Sequence, residues 1–172
     1  HENLRAALLW LLEETRMNER AEEGRQQTER CLRLCVALYW FWYIHGHRRE
    51  GDRFLEQALA ISSGVLPVVR AKALTASAGF AISLVDLERA ERQGEESLIL
   101  FRGLGDKAGI AATLQMLGYL ARVQCRYATA RSRLEEARAL FQELGDSWRR
   151  GNCFTELARV DMAQGKYDRA RM

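Results

Sequence analysis

Phe101-Arg-Gly-Leu-Gly-Asp106 returns as Phe141-Gln-Glu-Leu-Gly-Asp146, and the interval of 40 residues between them decides the fold. A second, unlike segment keeps the same step, since Tyr127-Ala-Thr-Ala-Arg131 returns as Tyr167-Asp-Arg-Ala-Arg171. Working backwards, Ala90, Glu95, Glu96 and Phe101 align with Ala130, Glu135, Glu136 and Phe141. A more divergent copy stands in front, where Leu55-Glu-Gln-Ala58 answers Leu134-Glu-Glu-Ala137 with one residue fewer separating it from the second copy. A fixed period of about 20 to 50 residues marks a stacked array, because a single unit cannot bury its own apolar face.

Each copy divides into two amphipathic helices. Ile110, Leu114, Leu117 and Ala121 recur at three- and four-residue steps, and Tyr127, Ala130, Leu134 and Ala137 do so again. Gly105 and Gly145 stand where a helix needs a left-handed terminating residue, and Asp106 and Asp146 can then cap the next helix. The predicted fold is all-α, a right-handed α-solenoid of antiparallel helix pairs. A leading helix (2–15) and linker occupy 1–25, and the repeat array runs over 26–172 as units 26–62, 67–103, 107–144 and a truncated 147–172. Within these the pairs are 26–45 with 48–62, 68–85 with 87–103, 107–124 with 127–144, and 147–164 with a partner starting at 167.

Composition agrees. The 172 residues contain 48% hydrophobic side chains, enough for a globular core, and one proline, Pro67, to interrupt helices. The net charge of +3 is too balanced to signal nucleic-acid binding by itself. The longest apolar stretch, Cys31 to Ile44, has 14 residues and includes Arg33, short of the roughly 20 of a spanning helix. No membrane association is expected. The opening His1-Glu2-Asn3 and the close inside a patterned segment read as a piece of a longer protein. Cys31, Cys35, Cys125 and Cys153 fall on apolar helical stripes without a CxxC pair, as reduced core thiols of a cytoplasmic protein would.

Small residues recur at equivalent places: Ala78, Gly118 and Ala158 on first helices, Ala90, Ala130 and Ala170 on second helices. Backbones can approach there, with Leu117 and Leu157 filling the space alongside. Gly118→Ala is expected to be tolerated and Gly118→Leu not.

Leu114-x-x-Leu117-Gly118-x-x-Ala121, followed by Ala130-x-x-x-Leu134 and Ala137, resembles the tetratricopeptide (TPR) repeat, in a version longer than the usual length of about 34 residues. The resemblance covers about residues 30 to 172. Three places depart from it: Tyr39 replaces a small residue, Gly94 a large apolar one and Asp161 an aromatic one. The wording of the repeats is narrower still. Glu2-Asn-Leu-Arg-Ala-Ala-Leu8 with Trp10, Gly51-Asp-Arg-Phe-Leu-Glu-Gln-Ala-Leu59 and Glu95 to Asp106 resemble the carboxy-terminal sensor region of bacterial transcriptional regulators with a STAND-type (NB-ARC-type) ATPase module, similar to LuxR-like and antibiotic-regulatory-protein-like groups. That resemblance implies a sensing or autoinhibitory role in signal transduction and transcription regulation, beside ATPase and DNA-binding modules of which this chain holds none.

By matching to the TPR family's groove-facing places, the resemblance implies a concave surface bearing Arg33, Val36, Trp40 and Tyr43 from the first unit and Lys72, Thr75 and Ile82 from the second. The third unit contributes Gln115, Tyr119 and Arg122, and the fourth Asn152, Thr155, Arg159 and Met162. Arg33, Lys72, Arg122 and Arg159 would give every turn a cation with hardly any acid opposing them, which points to an anionic ligand or acidic peptide. With 28% of all residues charged, a solvated helix face is a second account of the same residues.

Tyr39-Trp-Phe-Trp-Tyr43 cannot be one stacking platform, because successive helical side chains diverge by roughly 100°. Most of the run is expected in the core at the joint with the leading helix, near Trp10, with Trp40 and Tyr43 as the alternative groove anchors. His45-Gly-His47 reads as a surface turn without a metal-binding set around it. Gly103, Gly105 and Gly109 lack the phosphate-loop spacing. No catalytic constellation, metal site or cofactor is expected, and the chain reads as a non-enzyme.

Three functions fit. The first is a regulatory sensor binding a peptide, a protein or a small-molecule inducer. The others are a passive scaffold for protein assembly and, disfavoured by charge, a nucleic-acid-binding repeat. Exposed apolar residues around Phe154, Leu157 and Val160 at the truncated end would permit self-association.

Overall fold

The structure is a computed structural model that describes residues 2–17 and 21–166. Among them the elements are helices: α1 (Glu2–Met17), α2 (Ala21–Ala37), α3 (Tyr39–Ile44), α4 (Arg48–Ala60), α5 (Pro67–Ser83), α6 (Leu87–Leu104), α7 (Lys107–Val123), α8 (Tyr127–Glu143) and α9 (Ser147–Ala163). The chain divides into two compact units, His1–Gln93 and Gly94–Met172, and the division falls within α6. The partner helix expected from residue 167 lies outside the described residues.

The turns explain the period. Backbone N–H groups of Asp86, Asp106, Arg126, Asp146 and Lys166 donate to the carbonyls of Ala81, Phe101, Ala121, Phe141 and Asp161 at 2.8–3.1 Å. Each bond reaches back five residues and closes a helix C-terminus, with the residue before the donor left-handed: φ is 66° at Val85, 67° at Gly105, 60° at Cys125, 70° at Gly145 and 73° at Gly165. The donors stand 20 residues apart, so each 40-residue repeat is two identical closures. Asp106 Oδ1 then accepts from Gly109 N–H and Asp146 Oδ1 from Arg149 N–H, both at 2.9 Å, which caps α7 and α9 as the Leu-Gly-Asp triplets predict.

The first expected pair differs in detail. In place of one helix over 26–45, α2 begins at Ala21 and stops at Ala37, and α3 resumes at Tyr39. Glu22 and Glu23 in the first turn favour the early start by opposing the helix dipole. At the interruption Leu38 keeps helical backbone angles, and Leu38 N–H to Leu34 O and Trp42 N–H to Leu38 O carry the ladder across.

In the first unit α1 packs on α2, α2 on α4 and α5, and α4 on α5. Phe54, Leu55, Leu74 and Phe80 are buried between them. Trp42 lies on the α4 backbone: a Cβ at Gly51 would stand 2.6 Å from its Cε3 and 2.9 Å from Phe80 Cζ. Tyr39, the large residue at a small-residue place, fits because Gly79 on α5 leaves room for its hydroxyl. The aromatic run is therefore less buried than expected: Trp42 is in the core, Tyr39, Phe41 and Tyr43 are half-buried, and Trp40 is exposed. Trp10 is exposed as well, while Leu4 and Arg5 border a small cavity with Phe41 and Trp42.

In the second unit α7 packs on α8 and α8 on α9. Ala121, Ala130, Leu134, Leu157 and Val160 form a buried cluster with Tyr127 against it. Leu117 fills the space that Gly94 leaves, its Cδ2 lying 2.6 Å from where a Cβ would be. Asp161, standing where an aromatic residue was expected, is buried and ion-paired with Arg131 of α8. Three expectations are corrected here. A Cβ at Gly118 would lie 2.7 Å from Leu134 Cγ, so even alanine requires a shift. Cys125 is exposed in the α7–α8 turn, off any apolar stripe, whereas the other cysteines are buried. Leu157 and Val160 are covered by their own unit, and of that trio only Phe154 is exposed, with the Arg138 guanidinium 5.1 Å from its ring centroid.

Candidate functional site

All of the groove residues implied by the resemblance are exposed or half-buried, and each unit assembles its own group. In the first unit Arg33, Val36 and Ala37 of α2 face Val68, Val69 and Lys72 of α5 across a cleft of about 260 Å³. The floor is aliphatic and both rims are cationic. Glu29 Oε2 approaches Arg33 Nη2 at 3.9 Å, but Glu29 Oε1 is committed to the Leu66 N–H at 3.0 Å, at the start of α5. Lys72 is exposed and has no acidic partner among the described residues.

Trp40 and Tyr43 meet edge to face on α3, ring centroids 5.7 Å apart. The Arg48 guanidinium lies 4.4 Å from the Tyr43 ring centroid and its Nε donates to the Tyr43 carbonyl at 3.4 Å. Burial and the neighbouring Tyr43 push the Tyr39 phenol up to about 12, so it stays neutral at physiological pH. Thr75 turns back on its own helix, donating to Ala71 O at 3.2 Å, and Ile82 is half-buried.

The second unit is electrically different from the expectation. Arg122 Nε donates to Glu156 Oε2 at 2.8 Å, and Arg159 Nη1 donates to Glu156 Oε1 at 2.5 Å. Glu156 is buried, so one carboxylate opposes both cations that were expected to face a ligand unopposed. The Arg122 guanidinium also lies 5.0 Å from the Tyr119 ring centroid. Gln115 and Asn152 are half-buried and Met162 is exposed, while Thr155 donates to Gly151 O at 3.2 Å. Glu156 was missed because its partner is 34 residues away, yet a signal existed. In the 40-residue register it stands where the other copies hold Ala76 and Met116, an acid at an apolar place.

No group of three or more metal-binding side chains occurs among the described residues. Nor is any described helix long and apolar enough to cross a membrane.

No protein-family model matches this chain, and no curated protein does. Solved structures match over nearly its whole length. BtubC (BKLC) from P. vanneervenii superimposes with a TM-score of 0.78 at 24% identity, covering 98% of this chain and 69% of that one. The apo form of RapI gives 0.72 at 16% identity over 98% and 66%. A Podosopora anserina kinesin light chain with nearly identical TPR-like repeats gives 0.63 at 17% identity over 98% and 90%. The chain thus spans about two thirds of the first two proteins, and the likeness fixes its fold as a TPR-like helical repeat.

Proposed function

We infer that this chain is a non-catalytic interaction module of a larger protein and that its α2/α5 cleft takes an acidic peptide segment of a protein partner. The observation that carries this reading is the arrangement of Arg33 and Lys72 on either side of the Val36, Val68 and Val69 floor. An aliphatic side chain of the peptide would lie on the valines while flanking carboxylates met the two cations. Cation pairs on a rim steer acidic partners and set register, whereas the buried apolar contact supplies affinity. The Arg122 and Arg159 surface is the weaker candidate, because a ligand carboxylate there must compete with Glu156.

Fluorescence anisotropy with a labelled peptide of alternating Leu and Glu tests this. Charge reversal in Lys72→Glu and Arg33→Glu should weaken binding by about tenfold or more and flatten its salt dependence. Unchanged affinity in both variants would reject the cleft.

The finer setting, a cytoplasmic sensor within a bacterial regulator that answers to a peptide or small-molecule inducer, is supported by the wording of Glu95 to Asp106 and its neighbours. A sensor changes its equilibrium between conformations on binding, whereas a scaffold does not. Small-angle scattering with and without peptide separates them. Of Phe154, Leu157 and Val160 only exposed Phe154 supports self-association, and sedimentation of Phe154→Ser against the parent chain tests it.

A further inference from the structure

A second cleft in the first unit has different chemistry. Arg5 of α1 and His47, Arg49, Glu50 and Arg53 at the start of α4 line an open space of about 540 Å³. Three guanidinium groups face one carboxylate, a local excess of two positive charges. Arg5 Nε stands 3.4 Å from Glu50 Oε1, so the carboxylate is shared with α1. Asp52, the next acid along, is turned away to a bidentate pair with Arg89 at 2.9 Å. Arg49 and Arg53 are exposed, and neither has an acidic partner among the described residues. Arg53 rests beside Phe54, its guanidinium 5.6 Å from the ring centroid.

The repeat architecture does not call for this cluster. In the register that aligns Gly51 with Ala90 and Ala130, His47 corresponds to Asp86 and Arg126, Arg49 to Glu88 and Ala128, and Arg53 to Arg92 and Ser132. The other copies fold with an acid or alanine where Arg49 stands. Arg49 and Arg53 are also four residues apart on one helix, a spacing at which like charges repel and weaken the helix. An anion held between them removes that repulsion, and two planar forks four residues apart match the oxygens of a phosphate group.

We propose that this cleft binds the phosphate groups of a small phosphorylated ligand, with Arg49 and Arg53 as the principal contacts and Arg5 closing the α1 side. The site is separate from the α2/α5 cleft and independent of the function inferred for it. Its volume admits a diphosphate together with part of an attached group. The same chemistry is offered by a free phosphate compound and by a phospholipid headgroup.

Isothermal titration calorimetry of the whole chain with inorganic pyrophosphate is the direct test, with sedimentation on vesicles containing phosphatidic acid as the second arm. Saturable 1:1 binding is expected, weakened about tenfold or more in the double variant Arg49→Ala/Arg53→Ala and unchanged in Lys107→Ala, an exposed residue of α7 that lines neither cleft. Circular dichroism of the double variant should match the parent, since both side chains are exposed. Pyrophosphate binding assigns a soluble ligand, and vesicle binding alone assigns a headgroup; either supports the site if the double variant abolishes it. No binding in either arm, or equal binding by the double variant, overturns the proposal.

Discussion

Arg122 Nε donates to Glu156 Oε2 at 2.8 Å, although the two residues stand 34 positions apart and on different helices, α7 and α9. With Arg159 as the third member, one buried carboxylate stands between two guanidinium groups that were expected to face a ligand unopposed. Glu156→Gln keeps the shape and most hydrogen-bonding capacity but removes the charge. Denaturant unfolding should show a loss of about 1–3 kcal/mol, since hydrogen bonds to charged groups are the stronger ones. The same variant should bind polyglutamate more tightly than the parent, and a binding curve unchanged by the substitution would show that the two arginines do not face a ligand.

Gly118 gives a second test, with a sign opposite to the one small-residue reasoning suggests. Alanine gains about 1 kcal/mol of helix propensity, but its Cβ would stand 2.7 Å from Leu134 Cγ. Leu134 is fully buried and cannot swing into solvent, so overpacking costs about 1–3 kcal/mol. Gly118→Ala should unfold at lower denaturant concentration than the parent, and Gly118→Leu lower still.

Val85 and Cys125 occupy the left-handed turn position that glycine fills at residues 105, 145 and 165. A side chain branched at Cβ is strained there, and Val85 is 78% exposed, so little packing compensates. Val85→Gly should raise thermal stability by about 1 kcal/mol, measured by differential scanning calorimetry. Cys125→Gly should shift in the same direction.

Thiol chemistry should single out the same turn. Cys125 is exposed, while Cys31, Cys35 and Cys153 are buried, and burial pushes the Cys153 thiol up to about 11. Ellman's reagent on the native chain should modify Cys125 rapidly and the other three only on unfolding. Rapid modification in a Cys125→Ser variant would contradict the burial.

Arg89 binds Asp52 through two bonds of 2.9 Å and also reaches Asp86 and Glu56. The hydrogen bond from Arg89 holds the Asp86 carboxyl below its ordinary range. A depressed carboxyl contributes stability above the unfolded-state pKa of about 3.9 and loses it as pH falls through the folded value. Arg89→Ala should be destabilised by about 3 kcal/mol at neutral pH, because Asp52 loses its bidentate partner in a largely buried site, and the Asp86 contact adds a smaller, pH-dependent part. The Asp86 part of the gap to the parent should disappear below about pH 4 in urea titrations at stepped pH.

What could be read from the sequence was what is local. Gly105-Asp106 and Gly145-Asp146 announce a left-handed terminator and a cap within two residues, and the structure uses them so. The helix pairs followed from the spacing of Leu114, Leu117 and Leu134. The groove's charge did not, because it depends on which acid crosses from one helix to another. Arg122 could be placed on its face by register, but Glu156 lies between Cys153 and Val160 on a stripe that elsewhere carries apolar residues. The cluster of Arg5, Arg49 and Arg53 was equally hidden, since α1 stands outside the repeat and no register predicts what it brings alongside α4.

The five closures at Asp86, Asp106, Arg126, Asp146 and Lys166 each span only six residues of backbone. None waits for a distant strand or for the far end of the polypeptide before it can form. A chain emerging from the ribosome can therefore finish each bend as soon as it is made, and a nascent hairpin needs only its immediate predecessor to dock against. Growth by adding or deleting one hairpin would leave every other bend chemically untouched.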